Sequence, residues 1–138
     1  MYYLLESIDK YAYTASVYGA FLKKLKKTAQ NNLILKPAEL IINEQYHEVF
    51  NEDINEVAKK VSGDILYLDP PYNHRQYATN YHLLETIAKY DNPKIHGKTG
   101  LREYQNQKSL YCSRTQVKKA FKDLILKAKA KYIFLSYN

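Results

Sequence analysis

Apolar residues recur at helical spacing from Leu5 through Ile8, Ala12, Ala15, Gly19, Leu22 and Leu25, so residues 3–29 are expected to form one long helix or two in succession. Lys23, Lys24, Lys26 and Lys27 close that segment; they suit the negative end of a helix dipole or, alternatively, contact with phosphate. Leu33-Ile34-Leu35 and Leu40-Ile41-Ile42 are short apolar runs broken by Pro37, and residues 46–50 place apolar side chains at roughly alternate positions. All three are candidate strands. Asp53 can cap a short helix, because Glu56 lies three residues on and Ile54, Val57, Ala58 and Val61 share one apolar face that Ser62-Gly63 ends.

Asp64-Ile65-Leu66-Tyr67-Leu68 is a nearly continuous apolar strand, the pattern expected where helices cover both faces of a sheet, and it delivers Asp69 at its carboxyl end. Residues 79–90 form the next expected helix, buried through Leu83, Leu84, Ile87 and Ala88. Residues 91–111 are polar, and a connection of about 20 residues without internal structure is uncommon in a compact domain. This one is expected to order on binding. Ser113 with Gln116 makes a capping box for a helix whose apolar face is Val117, Ala120, Phe121, Leu124, Ile125 and Ala128. Lys118, Lys119, Lys122, Lys127 and Lys129 occupy its solvated side. Residues 132–137 make a final strand. The order strand, helix, loop, helix, strand after Asp64 implies right-handed crossovers and a parallel sheet, hence an α/β layered fold.

Composition narrows the function classes only a little. A chain of 138 residues supplies one compact domain. A net charge of +7 favours a polyanionic partner without requiring one. The single cysteine, Cys112, excludes an internal disulfide and, with no apolar run of about 18 residues and no export signal, makes a soluble cytoplasmic protein the expectation. Fifteen tyrosines against four phenylalanines and no tryptophan suit half-buried packing, with a few left for stacking on bases. His47, His74, His82 and His96 lack metal-ligand spacing, so no metal site is expected. Gly97-Lys98-Thr99 is rejected as a phosphate-binding loop, because Asn92 stands where the required first glycine would be.

The chemistry concentrates at Asp69-Pro70-Pro71-Tyr72, on the edge where an open α/β sheet receives ligands. An adenine amine is a poor nucleophile because its lone pair is delocalised into the ring. An enzyme that alkylates it needs two hydrogen-bond acceptors to favour the localised, pyramidal form. The Asp69 carboxylate is one acceptor and the Pro70 carbonyl, fixed in extended geometry by the following proline, is the other. Tyr72 adds an aromatic face on which a base flipped out of the duplex can stack for roughly 1–3 kcal/mol. The competing reading is a strand ending in a Pro-Pro turn, with Asp69 as a turn cap and Tyr72 as a packing aromatic.

The flanks favour the first reading. The stretch from Gly63 to Ile87, GDILYLDPPYNHRQYATNYHLLETI, resembles the Dam-like adenine-specific DNA methyltransferases of restriction-modification systems. The likeness continues through Gly97-Lys98-Thr99-Gly100-Leu101-Arg102, Tyr111-Cys112-Ser113 and residues 131–138. It implies a partial Rossmann-like, S-adenosylmethionine-dependent methyltransferase fold, a parallel-sheet half with flanking helices. Residues 46–138 would be the catalytic part of a single domain, and residues 1–45 a helical region linked to target recognition. By the same resemblance, Asp69, Pro70, Pro71 and Tyr72 are catalytic, Asp69 also borders the cofactor, and Asp53 contacts the cofactor's adenine amine; Asp53 as a helix cap remains equally open. Asn73, Arg75, Gln76, Tyr77 and Asn80 would line the entrance for the extruded nucleotide, with Arg75 on phosphate.

One departure qualifies the likeness. The family's Phe-x-Gly-x-Gly loop, which wraps the methionine end of the cofactor, is missing, and glycines 19, 63, 97 and 100 cannot form it. The chain is therefore expected to be truncated at both ends, with a partner half carrying that loop or with self-association through an uncovered strand edge. The leading expectation is methyl transfer from S-adenosylmethionine to the N6 amine of adenine in double-stranded DNA. The alternatives are methylation of a base amine in structured RNA, or an inactive nucleic-acid-binding remnant.

Overall fold

The computed structural model describes residues 4, 5, 7, 8, 18, 19, 23, 24, 27–37 and 39–136. By their internal contacts they group into two compact units, one from Met1–Asn43 and Tyr77–Gln107 and the other from Glu44–Gln76 and Lys108–Asn138. Among the described residues no helix is long and apolar enough to cross a membrane.

The second unit is a helix-backed parallel sheet. Asp53 caps helix α1, Ile54–Lys60, by accepting from the Asn55 N–H at 2.8 Å, which satisfies one of the orphan donors of the first turn. The capping box is half made, because Glu56 turns to Lys59 instead of reaching back. The helix ends at Lys60, and Ser62 and Gly63 already belong to β1, Ser62–Leu68, rather than forming a stop of their own. Strand β1 pairs in parallel with β2, Lys129–Leu135, with Leu68 opposite Leu135. The expected parallel pairing is thereby borne out in a sheet of two strands.

Between the strands runs helix α4, Val117–Lys127, which follows α2 (Tyr77–Asn80) and α3 (His82–Lys89) along the chain. Its apolar face turns inward at Ala120 and Leu124, and Leu124, Leu68 and Ala58 form the buried core, with Leu66 and Tyr111 packed against it. Ile125, expected on that face, is half exposed. The Ser113/Gln116 capping box does not form: Gln116 caps without its side chain, and the Ser113 carbonyl accepts the Gln116 and Val117 N–H groups in a turn that leads into the helix. Coverage of β1 is likewise one-sided. Leu66 and Leu68 face the helices while Ile65 and Tyr67 stand out, because residues two apart share a face and the described helices pack on one face only.

The first unit is helical. Leu4, Leu5, Ser7 and Ile8 are helical, but Tyr18 and Gly19 lie in a turn and Lys23 and Lys24 in a bend, so the helix expected over residues 3–29 does not hold there, and Lys27–Gln30 forms a 3-10 turn; the remaining expected positions, including Ala12, Ala15, Leu22, Leu25 and Lys26, lie outside the described residues. The helix expected over residues 79–90 is instead two pieces, α2 (Tyr77–Asn80) and α3 (His82–Lys89), separated at Tyr81. Helix α3 buries His82 rather than Leu83 or Ala88, which are exposed. The His82 ring bonds the Tyr18 carbonyl at 3.2 Å, and the Tyr18 N–H donates to the Asn80 carbonyl at 2.6 Å. Tyr90 ends α3 in the left-handed conformation.

Two further expectations fail. The apolar runs 33–35, 40–42 and 46–50 form no strand, and Ile41, Ile42 and Val49 are almost wholly exposed. A strand needs a neighbouring strand to pair its backbone groups, and none of these runs is paired in a sheet among the described residues. Residues 91–111 are not structureless before binding. They hold a His96–Leu101 bridge, two 3-10 turns at Gln105–Gln107 and Leu110–Cys112, and a buried Arg102. Local hydrogen bonds order this stretch, a source of structure that hydrophobic periodicity does not register.

Candidate active site at the carboxyl edge of the sheet

Strand β1 ends at the buried Leu68, whose carbonyl accepts the Ser136 N–H at 2.8 Å and so extends the parallel ladder one step past β2. The next residue, Asp69, leaves the sheet and is exposed. Its carboxylate has no hydrogen bond or ion pair among the described residues. Pro70 and Pro71 are half-buried, and Tyr72 keeps 48% of its surface open. The motif thus offers a free carboxylate and one aromatic ring to solvent, on a backbone that two prolines hold extended. As a turn cap Asp69 would accept nearby N–H groups, and it accepts none.

The segment that follows is tied down by bonds that the sequence did not announce. Asn73 Oδ1 accepts the Arg75 N–H at 2.9 Å in an Asx turn. The Gln76 amide and the Ser109 backbone bond reciprocally: Ser109 N–H donates to Oε1 at 2.8 Å and Nε2 donates to the Ser109 carbonyl at 3.2 Å. The buried Cys112 thiol donates to the Arg75 carbonyl at 3.3 Å, and burial pushes its pKa up. Of the residues expected to meet the extruded nucleotide, Asn73, Arg75 and Gln76 therefore share this edge. Arg75 and Asn73 are exposed there, with Asn73 Oδ1 engaged by the loop, while the Gln76 amide is half-buried and spent on Ser109. Tyr77 and Asn80 fall in the other compact unit, Tyr77 edge-on to Tyr81 at 5.7 Å and Asn80 holding Tyr18.

A polar hub stands behind the sheet. Asn55 donates to the Ala120 carbonyl at 3.1 Å and to Asp123 Oδ2 at 2.8 Å, and accepts from the Tyr111 hydroxyl at 2.7 Å. The bond from Asn55, then that from Lys127, lowers the Asp123 pKa. Burial first, then the charges of Asp53 and Asp123, pushes the Tyr111 phenol up to about 12. Tyr111 also meets the Phe121 ring edge-on at 4.9 Å. Asp53 Oδ1 is held by its helix cap. Asn55, Ser109, Tyr111 and Cys112 enter the site through hydrogen bonds between residues far apart in sequence, which no local motif announces.

An apolar recess of about 120 Å3, lined by Ile54, Ala58, Val61, Leu66, Ala128 and Ala130, opens at the amino-terminal end of the strands, away from Asp69. Among the described residues no group of three or more His, Cys, Asp or Glu could hold a metal ion.

Comparison with known proteins gives this geometry a setting. A family model described as D12 class N6 adenine-specific DNA methyltransferase matches residues 1–138. The chain is 58% identical over 135 residues to the Type II methyltransferase M.NlaIII of Neisseria lactamica, covering 98% of this chain and 40% of that protein. It is 49% identical over 135 residues to the Type II methyltransferase M.FokI of Planomicrobium okeanokoites, covering 98% and 21%. It is 40% identical over 137 residues to the Type II methyltransferase M.CviAII of Paramecium bursaria Chlorella virus 1, covering 98% and 40%. The chain thus spans 40% or less of the length of these relatives. No solved structure matches.

Proposed function

Because the chain belongs to the D12 class N6 adenine-specific DNA methyltransferases, we propose that it carries the reaction edge of an enzyme that methylates adenine N6 in duplex DNA within a restriction-modification system. The observation that carries this reading is the unpartnered Asp69 carboxylate at the carboxyl end of a parallel strand, followed by the open Tyr72 ring. Folding leaves a charge exposed and unpaired there at no cost to the core, and the acceptor is the kind that the chemistry needs.

In this reading Asp69 accepts one N6 hydrogen and the Pro70 carbonyl accepts the other, which localises the nitrogen lone pair. Tyr72 stacks on the flipped adenine and keeps it in plane with those acceptors. Asp69 then takes up the proton that N6 sheds as its new bond to carbon forms. S-adenosylmethionine, when bound, would supply the sulfonium methyl group, the S–C bond giving way to the N6–C bond and the neutral thioether leaving with the electron pair. The second oxygen of Asp53 suits the cofactor's adenine amine and Asp69 borders the cofactor, both being exposed carboxylates of one unit. Arg75, exposed beside the motif, is assigned to phosphate. Asn73 and Gln76 hold the entrance loop, and Tyr77 and Asn80 are assigned to the nucleotide path. Catalysis rests on positioning and on acceptors aimed at the charge developing on N6.

Calorimetric titration of S-adenosylmethionine into the full chain, beside an Asp69→Ala variant, tests the reading. Saturable binding that the variant loses is the expected result, accompanied by methyl incorporation into adenine-containing duplexes that falls by about 10²–10³-fold in the variant. Equal binding and equal transfer by the two proteins would remove Asp69 from the reaction.

A further inference from the structure

The hairpin within residues 91–102 plays no part in the reaction just described, yet it is firmly built. His96 and Leu101 exchange both backbone hydrogen bonds, at 2.7 and 2.8 Å. They close a turn in which Gly97 and Gly100 sit at φ of 69° and 67°, a region where glycine alone is unstrained. The buried Arg102 guanidinium follows directly and grips both oxygens of Asp91, with a further bond to Thr86 of α3 at 3.3 Å. Arg102 holds the Asp91 carboxyl below the usual carboxylate range, so the pair stays charged and the stem stays closed.

The stem carries exposed Lys94, His96 and Lys98. Residues 92–102 contain no Asp or Glu, and Asp91 is already engaged by Arg102. Lys59, Lys60, Lys89, Lys127 and Lys131 each pair with a carboxylate, whereas neither Lys94 nor Lys98 has an ion pair among the described residues. Two cations are therefore displayed on a braced turn, where less backbone freedom is lost on binding than on a loose loop.

We propose that the hairpin, through Lys94 and Lys98, grips the phosphate backbone of the duplex and holds it in register while the target base is extruded. This rests on the reading of the chain as a DNA methyltransferase and names a contact surface for its substrate. Such contacts position the duplex without reading its sequence.

The test measures affinity of the full chain for a 20-base-pair duplex between 50 and 200 mM salt, for the wild type, Lys94→Gln/Lys98→Gln, and the charge-matched control Lys118→Gln/Lys119→Gln. Each lost phosphate contact lowers the slope of log affinity against log salt by about 0.9, so the hairpin variant should lose about 1.8. Its loss of affinity across that salt range then shrinks by about tenfold, while S-adenosylmethionine binding is unchanged and the control keeps the wild-type slope. An unchanged slope in the hairpin variant, an equal fall in the control, or no duplex binding by the wild type would overturn the proposal. Tighter, lysine-dependent binding to an RNA hairpin would overturn the assignment to DNA. If the slope falls as expected but no cofactor binds, the phosphate grip stands and the methyltransferase reading falls.

Discussion

The carboxyl edge of β1 and the hairpin of residues 91–102 are built alike and finished with opposite charge. In each, a fully engaged polar pair braces a turn: Gln76 with the Ser109 backbone at the edge, Arg102 with Asp91 at the hairpin. In each, the brace displays a charged group without a partner, the Asp69 carboxylate in one and the Lys94 and Lys98 ammonium groups in the other. A buried polar group must be satisfied or it destabilises the fold, so satisfied pairs are scaffold. Exposed and unpaired groups cost the fold nothing and are where ligand chemistry resides. The sign then separates the duties: an anion can accept from an amine, and a cation can hold a phosphate.

The sharpest way to break the comparison is to attack scaffold and displayed charge within one strand end. Leu68 and Asp69 are adjacent, one in the core and the other in solvent. Leu124→Ala empties space beneath Leu68 and should lower unfolding free energy by about 2–5 kcal/mol, read by urea denaturation. Asp69→Ala should stay within about 0.5 kcal/mol of the wild type. A large stability loss on removing Asp69 would show that its carboxylate serves the fold after all.

A smaller effect is expected at the brace itself. Gln76→Ala removes two hydrogen bonds to Ser109, each contributing about 0.5–1.5 kcal/mol net, so stability should fall by about 1–3 kcal/mol. Because the loop after the motif is then untethered, kcat should fall while the KM for S-adenosylmethionine holds. A change in KM alone would make Gln76 a ligand contact rather than a brace.

Much of the displayed half of this comparison was legible in the sequence, and little of the scaffold half. Local signals sufficed for Asp53 as a cap, for the strand that delivers Asp69, for the apolar face at Ala120 and Leu124, and for parallel pairing. The scaffold was hidden because its partners lie far apart in sequence. Gln76 and Ser109 are separated by 33 residues and Asn55 and Asp123 by 68, and amide-to-backbone or amide-to-carboxylate bonds leave no periodic trace. The same blindness explains the overread strands at 33–35, 40–42 and 46–50. An apolar run states a wish for burial, and only tertiary contacts decide whether a partner exists. The break at Tyr81 follows suit, since burial of His82 against Tyr18 overrides the apolar stripe through Leu83.

Tyr111, in the hub behind the sheet, provides the finest test, because its contribution can be switched by pH. Burial, aided by Asp53 and Asp123, pushes its phenol up to about 12, whereas the unfolded chain ionises a tyrosine near pH 10. The folded state thus keeps a proton that the unfolded state releases between those values. The stabilisation is whole below pH 10 and is lost as pH climbs through about 12. Tyr111→Phe removes the hydroxyl that donates to Asn55 at 2.7 Å and should cost about 1 kcal/mol near neutrality. Only the Tyr111 hydroxyl differs between the two proteins, so the difference between the two stability curves isolates this residue. That difference should shrink as pH rises above 10 and change sign before pH 12, because a window of about two pH units outweighs the roughly 1 kcal/mol of the hydrogen bond. Parallel curves across the window would mean that the hydroxyl is not held by the hub, and that Tyr111 braces the sheet only through its ring against Phe121.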